Sequence, residues 1–244
     1  MKILHKIGYF FLRKNLRIPR LFEKSFISFQ EKSFLKNLIQ KGEINCVLDI
    51  GSHRGSFFES LRSIGYGGHV ISVEPTEENY KFQKEKFKND KKLKLFNFAI
   101  GETECEKKIN VIDFSNLNSL LTPRNNSVKN KSKVKVKRLD SLMDQILNTV
   151  ENPKIFCKVD TQGYDLNVLK GAGGLLELIE VIQTEISIRP LYYNSPNHIQ
   201  SFQYFKSIGY EIIHMFPCSK DAKLNHILEF DCILLKKQTQ KSEQ

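Results

Sequence analysis

The chain is 244 residues long and carries 38 Lys and Arg against 27 Asp and Glu, a formal net charge of +11. This length suits one substantial α/β core rather than two, and five scattered cysteines without a C-x-x-C spacing exclude a disulfide framework or zinc motif and favour a reducing, cytoplasmic compartment. The positive charge favours an acidic partner, such as nucleic acid, an anionic membrane face or a negatively charged substrate, without choosing among them.

The first twenty residues predict a basic amphipathic helix, because they hold six Lys or Arg and no Asp or Glu. Such a helix can lie peripherally on an anionic membrane surface, or pack on its own domain or a second subunit. The apolar run at residues 7–12 is too short to cross a bilayer. A second helix is predicted over residues 28–41. We therefore expect a helical extension over residues 1–40, ahead of a domain spanning 41–237.

Residues 46–55, C-V-L-D-I-G-S-H-R-G, are the stretch around which that domain is organised. An apolar run typical of a fully buried strand is broken by Gly51 and Gly55, just before a helical pattern starts. Ser56 and Glu59 have the spacing of a capping box. The stretch predicts a strand, a glycine turn and a helix, an arrangement at which nucleotide-like ligands bind.

A second strand, residues 69–73, ends at Glu74, which lies 74 − 51 = 23 positions after the turn. An acid about 20 residues past such a turn accepts hydrogen bonds from ribose hydroxyls. The G-x-G-x-x-G fingerprint of dinucleotide sites is missing, and Asp49 would repel a pyrophosphate but attract the cationic part of S-adenosylmethionine. We therefore predict an S-adenosylmethionine site; the alternative is an ordinary strand–turn–helix with Asp49 as a local cap.

The rest of the chain continues the alternation of strands and helices, with one interruption. A third strand is predicted over 93–98, a fourth over 154–159 ending at Asp160, and a fifth over 181–187; segments 210–216 and 230–235 should pair antiparallel at a sheet edge. Residues 102–140 interrupt this pattern and predict an inserted β-hairpin or flap. Residues 124–138 hold seven basic residues and no acidic ones, so the flap either faces an anionic substrate or is a solvated loop. Residues 238–244 are predicted to be a disordered tail.

With these stretches together, the sequence resembles the FkbM-type family of S-adenosylmethionine-dependent methyltransferases. The resemblance rests on V-L-D-I-G-S-H-R-G, V-E-P at 73–75, A-I-G at 99–101, L-N-S-L at 117–120, R-L-D at 138–140, K-V-D-T-Q-G-Y-D at 158–165, V-L-K-G-A at 168–172 and P-L-Y at 190–192. It implies a Rossmann-like α/β fold of the class I methyltransferase type, with a seven-stranded sheet whose last strand is antiparallel. It also implies S-adenosylmethionine as cofactor and methylation of a hydroxyl, often on a sugar or a secondary metabolite.

The candidate site residues follow from their places at the ends of the predicted strands. Asp160 is the candidate general base, or else contacts the cofactor or caps the next helix; Glu185 could orient a substrate hydroxyl or pair with Lys158. Cofactor contacts are expected from Asp49, Gly51, Ser52, His53, Glu74, Asn97 and Ala99, the last two beside the adenine. No metal cluster is expected, although Asp160 and Glu185 together could hold one ion.

The expected function is O-methylation of a sugar or glycan precursor at the cytoplasmic membrane face. An RNA methyltransferase is the alternative suggested by the charge, but the chain lacks an Asn-Pro-Pro-Tyr type tetrapeptide and an aromatic-rich basic module. A non-catalytic nucleotide-binding module is a third possibility, opposed by the presence of Asp49, Gly51, Glu74 and Asp160. No sequence feature indicates an oligomeric state.

Overall fold

The computed structural model describes residues 20–112, 115–125, 127–221 and 226–237. The basic helix predicted for the first twenty residues lies, up to residue 19, outside the described residues, as does the predicted tail at 238–244. Ten strands are described: β1 Cys46–Ile50, β2 His69–Val73, β3 Leu93–Phe96, β4 Ala99–Ile100, β5 Cys105–Ile112, β6 Val128–Lys137, β7 Ile155–Val159, β8 Ile179–Ser187, β9 Tyr210–Lys220 and β10 Ile227–Lys236. The described α-helices are α1 Arg20–Lys41, α2 Ser56–Ser63, α3 Glu77–Lys86, α4 Met143–Leu147, α5 Asp165–Lys170 and α6 His198–Ser207.

Seven strands form the main sheet in the order β3-β2-β1-β7-β8-β10-β9. Strands β3, β2, β1, β7 and β8 run parallel to one another, whereas the last strand, β10, is antiparallel to both β8 and β9. The predicted α/β fold with a mainly parallel seven-stranded sheet and an antiparallel last strand is confirmed. Because the strand order reverses at β1, a crevice is expected at the carboxyl ends of β1 and β7.

Both faces of the sheet are buried, which explains the continuous apolar runs in its central strands. On one face Leu139, Ile146 and Phe205 belong to a core shared with β1, β7 and β8. On the other face, Leu35 and Ile39 of α1 pack with the aromatic side chains of α2 and with β1, β2 and β7. The second half of the predicted N-terminal extension is therefore part of the packed domain.

A smaller sheet, in the order β4-β6-β5, lies within and just before the region predicted as a flap. Strands β5 and β6 pair antiparallel, and the short β4 pairs parallel with β6. The two long strands lie within the region 102–140 for which a β-hairpin or flap was predicted. A small apolar core of Ala99, Ile109, Val134 and Val136 lies beneath them.

Local boundary signals were less reliable than the strand pattern. The capping box predicted from Ser56 and Glu59 is wrong: Gly55 occupies the N-cap position with φ 80°, and no side chain caps the helix. The helix predicted to begin near residue 28 begins at Arg20, and the third strand ends at Phe96 rather than at residue 98. Glycine takes the N-cap of α2 because this backbone conformation disfavours any side chain.

Candidate active site

A cavity of about 560 Å³ opens at the carboxyl ends of β1, β2, β7 and β8, and residues 116–120 also line it. Eight of the nine residues predicted for the site line this cavity: Asp49, Gly51, Ser52, His53, Glu74, Ala99, Asp160 and Glu185. The ninth, Asn97, is not a lining residue; its Nδ2 donates to the carbonyl oxygens of Glu74 (2.9 Å) and Pro75 (3.2 Å). Asn97 therefore fixes the backbone beyond β2, while Ala99 lies in the wall beside Phe98.

The glycine turn after β1 is tightly packed. Gly51 has φ +82°, and a Cβ added there would lie 2.0 Å from the carbonyl oxygen of Asp160. The amide nitrogens of Gly51 and Ser52 both donate to Val73 O, at 2.9 and 3.1 Å. From α3, Gln83 Nε2 donates to Ser52 Oγ (2.9 Å) and to the carbonyl oxygen of His53 (2.6 Å). The turn is thus held from β2, β7 and α3 together, and nothing in the sequence pattern singled out Gln83.

Asp49 is a fully buried carboxylate at the cavity wall. It is 0% exposed, and both of its carboxylate oxygens have no hydrogen-bond partner among the described residues. It faces Lys158 across the β1–β7 pairing. Burial raises the pKa of Asp49 to about 6, and the charge of Lys158 opposes this shift. An unpartnered buried carboxylate is a strong attractor for a ligand cation.

Glu74 is 5% exposed and anchors the turns on either side of it. One carboxylate oxygen accepts from the His53 amide (2.8 Å), and the other accepts from the Thr76 amide (2.9 Å) and hydroxyl. Burial raises the pKa of Glu74 above its ordinary value, and these hydrogen bonds only partly oppose that shift. Burial lowers the pKa of the His53 imidazole, and the positive charge of Arg54 lowers it further. His53 is therefore neutral near pH 7.

A polar chain crosses the cavity from β7 to β8. Lys158 Nζ lies 2.8 Å from Asp160 Oδ2, and Gln162 Nε2 donates to Asp160 Oδ1 (3.0 Å) and Glu185 Oε2 (3.4 Å). Of the two roles considered for Glu185, pairing with Lys158 is wrong, because the ion pair of Lys158 is with Asp160. Helix capping by Asp160 is also wrong: the backbone amides of Thr161 and Gly163 donate to the carboxylate of Asp165 instead, at 3.0 and 3.1 Å.

The two candidate catalytic carboxyls are in opposite electrostatic states. Burial alone would raise the pKa of Asp160, but Lys158 and Gln162 outweigh it and hold that pKa below its ordinary value. Burial raises the pKa of Glu185 well above its ordinary value, and the nearby Asp160 adds to the shift. The environment therefore favours the ionised form of Asp160 and the protonated form of Glu185.

Two further acids, Glu229 and Asp231, line the cavity and were not predicted. They lie on β10 opposite Ser187 and Glu185 of β8. Burial raises the pKa of both, that of Asp231 to about 7. The sequence offered one signal for them, because Glu229 and Asp231 are acids two positions apart in the otherwise apolar run E-F-D-C-I-L-L. Only the antiparallel pairing with β8 brings them beside Glu185. Among the described residues, no group of three or more His, Cys, Asp or Glu is placed to hold a metal ion.

Three motifs quoted for the family resemblance meet at Gln162. The Ser119 hydroxyl donates to Gln162 O (2.8 Å), which ties L-N-S-L to the segment after β7. The Tyr192 hydroxyl, from P-L-Y, donates to Leu117 O (2.9 Å) and lies 3.2 Å from Gln162 Oε1. These contacts join segments far apart in the chain along one side of the cavity.

The sheet order, the reversal at β1 and the cavity at the strand ends define an α/β fold resembling class I methyltransferases. The family model of the methyltransferase FkbM domain matches residues 49–212, and the chain belongs to this family. It is a methyltransferase by that membership.

Solved structures of methyltransferases match the chain at low identity. Magnesium protoporphyrin IX methyltransferase from Synechocystis with bound SAM matches at 9% identity and TM-score 0.50, covering 91% of this chain and 86% of that one. An O-methyltransferase from Bacillus cereus in complex with SAH matches at 17% identity and TM-score 0.48, covering 85% and 81%. The search of curated proteins found no match. Among the described residues, no helix is both long and apolar enough to span a membrane.

Proposed function

We propose that this protein transfers a methyl group from S-adenosylmethionine to a hydroxyl of a sugar or glycan acceptor. The observation that carries the proposal is the buried carboxylate of Asp49, without a hydrogen-bond partner among the described residues, in the same cavity as the Lys158–Asp160–Gln162–Glu185 chain. One side of this cavity suits a cationic amino-acid cofactor, and the other suits a hydroxyl that must lose a proton.

The residues present fit this cofactor. Asp49 offers two acceptor oxygens to its ammonium group, and Glu74, fixed by His53 and Thr76, is placed for the ribose hydroxyls. Ala99 and Phe98 provide an apolar wall for the adenine. When bound, S-adenosylmethionine supplies an electrophilic methyl group on a sulfonium.

On the acceptor side, we assign distinct roles to the two carboxyls. Asp160 is ionised at neutral pH because of Lys158, and so it can accept the hydroxyl proton as the methyl group is transferred. Burial raises the pKa of Glu185 and favours its protonated form, which can donate a hydrogen bond to a neighbouring acceptor oxygen. Gln162, bonded to both, keeps them at a fixed separation. Positioning of this kind supplies much of the catalysis in a displacement reaction.

The lining favours a sugar acceptor. The amide side chains of Asn116 and Asn118 line the same cavity as the acids Asp160 and Glu185. Such groups hydrogen-bond to multiple hydroxyls, as a sugar presents.

Calorimetric titration with S-adenosylhomocysteine tests the cofactor half of the proposal. Wild-type protein should bind saturably, and Asp49→Asn should bind at least about tenfold more weakly, because a charge-assisted hydrogen bond becomes a neutral one. Asp144→Asn, which changes an exposed carboxylate on α4, is the matched control and should bind as wild type does. Absence of binding by folded wild-type protein would contradict the proposal; binding would be followed by methyl transfer assays on a panel of sugars.

A further inference from the structure

Strand β6 carries a row of lysines on its outer face. Five lysines alternate along it, and all five are exposed: Lys129, Lys131, Lys133, Lys135 and Lys137. The intervening Val134 and Val136 are buried in the small core beneath. At about 3.4 Å per residue, neighbouring lysines from Lys131 to Lys137 lie about 6.8 Å apart, over about 20 Å. The pairing with β5 shifts register next to Lys129, which extends the row at its far end. We refer to these five residues as the lysine row.

The facing strand leaves this charge as a line rather than a broad patch. Across the β5–β6 pairing, Lys133 faces Lys108, whereas Lys135 faces Glu106 and Lys131 faces Asn110. Positive charge is therefore concentrated along β6 and partly offset on β5. A line of charge matches a linear anion better than it matches a flat surface.

The lysine row comes close to the cavity at its Lys137 end. At one end, Lys137 Nζ lies 4.9 Å from the ring centroid of Phe98, which lines the cavity. Further along, Asn110 donates from its side chain to the carbonyl oxygens of Ser119 (3.3 Å) and Leu121 (2.8 Å). Ser119 lines the cavity as well. A chain lying on the row would therefore reach the candidate active site at the Lys137 end.

The surroundings of the row distinguish among polyanions. Single-stranded nucleic acid is usually bound by aromatic side chains that stack on bases, but β5 and β6 contain no aromatic residue. Binding at an anionic membrane surface is strengthened by apolar side chains that insert beside the charges, and the outer face of β6 presents lysines alone. The row fits a linear chain with regularly spaced anionic groups and no bases.

We propose that the lysine row binds a linear anionic polysaccharide and that the methylated sugar is a unit of that chain. The second half of this inference rests on the proposed function, whereas binding to the row does not. The alternating lysines hold the carboxylate or phosphate groups of the chain while one sugar unit enters the cavity.

Fluorescence anisotropy with labelled polygalacturonate, a linear carboxylated polysaccharide, tests the binding. The triple variant Lys131→Gln, Lys133→Gln, Lys135→Gln should bind at least about tenfold more weakly than wild type, and the slope of log affinity against log salt should fall by about 2. The same three positions changed to arginine should keep the affinity. The control with equal loss of charge is Lys84→Gln, Lys91→Gln, Lys170→Gln, three exposed lysines on or near α3 and α5, and it should bind nearly as wild type does.

Three outcomes would overturn the inference. The first is equal weakening by the glutamine variant and its control. The second is polyuridylate bound more tightly than polygalacturonate, with the difference lost in the glutamine variant. The third is loss of binding to phosphatidylglycerol vesicles in that variant while polygalacturonate does not bind wild type. Sugar methylation without polygalacturonate binding would reject this inference and leave the proposed function. Polygalacturonate binding without affinity for S-adenosylhomocysteine would reject the proposed function and leave binding to the lysine row.

Discussion

Replacing Gly51 with alanine tests whether the turn after β1 holds the two halves of the site together. Two separate effects are expected there, since Gly51 has φ +82° and an added Cβ would lie 2.0 Å from Asp160 O. Two other glycines separate these effects. Gly65 has φ +88° with nothing within 4 Å of an added Cβ, and Gly67 has open space without a positive φ.

The magnitudes follow from these geometries. A left-handed backbone costs alanine about 1–2 kcal/mol, so Gly65→Ala should lower the free energy of unfolding by that amount. At Gly51 the Cβ falls 3.4 − 2.0 = 1.4 Å short of ordinary contact with backbone rather than with a flexible side chain. Overpacking adds about 1–3 kcal/mol, so Gly51→Ala should lose about 2–5 kcal/mol in total. Gly67→Ala should change the free energy by about 0.5 kcal/mol or less.

Urea unfolding of the three variants measures the free energies, and titration with S-adenosylhomocysteine measures the site. Because Asp160 must shift to admit the Cβ, any folded Gly51→Ala protein should bind at least about tenfold more weakly, the equivalent of about 1.4 kcal/mol. Gly65→Ala should retain wild-type affinity. The reasoning is refuted if Gly51→Ala is no less stable than Gly65→Ala and binds the ligand equally well.

Three further predictions concern the carboxyls and the amino terminus. Burial raises the pKa of Asp49 from 3.8 to about 6, so the folded protein binds this proton more tightly than the unfolded chain. Protonated Asp49 therefore stabilises the folded state at low pH, and this stabilisation, up to about 3 kcal/mol, is lost as the pH rises from about 4 to about 6. In urea unfolding at pH 4 and pH 7, Asp49→Asn should remove this difference between the two free energies of unfolding. Asp160→Asn should bind S-adenosylhomocysteine but lower kcat about 10²–10⁴-fold, and full turnover would reject the base assignment. If the basic helix predicted for residues 1–20 lies on an anionic membrane, deleting these residues should abolish flotation with anionic liposomes, and unchanged flotation would reject that alternative.

The strand pattern and the site residues near strand ends were predictable because their signals are local. Asp49, Glu74 and Asp160 each follow or end an apolar run, and the carboxyl ends of parallel strands meet at one sheet edge. Helix boundaries were harder to predict. Thr76 directly precedes α3, but its hydroxyl donates to Glu74. Asp165 begins α5, but its carboxylate accepts from the turn before that helix. A capping signal in sequence does not say which nearby group will win the hydrogen bond.

The sequence by itself determined the order of the elements, the glycine turn after β1 and the acids at the ends of β1, β2 and β7, because hydrophobic period and turn chemistry depend on near neighbours. Only the tertiary structure decided that Lys158 pairs with Asp160, that Glu229 and Asp231 join Glu185, and that Ser119 and Tyr192 meet Gln162. Apart from the Lys158–Asp160 pair, these contacts join residues 30 or more positions apart. Such partners are chosen by strand order and register, which the packing of the whole domain sets.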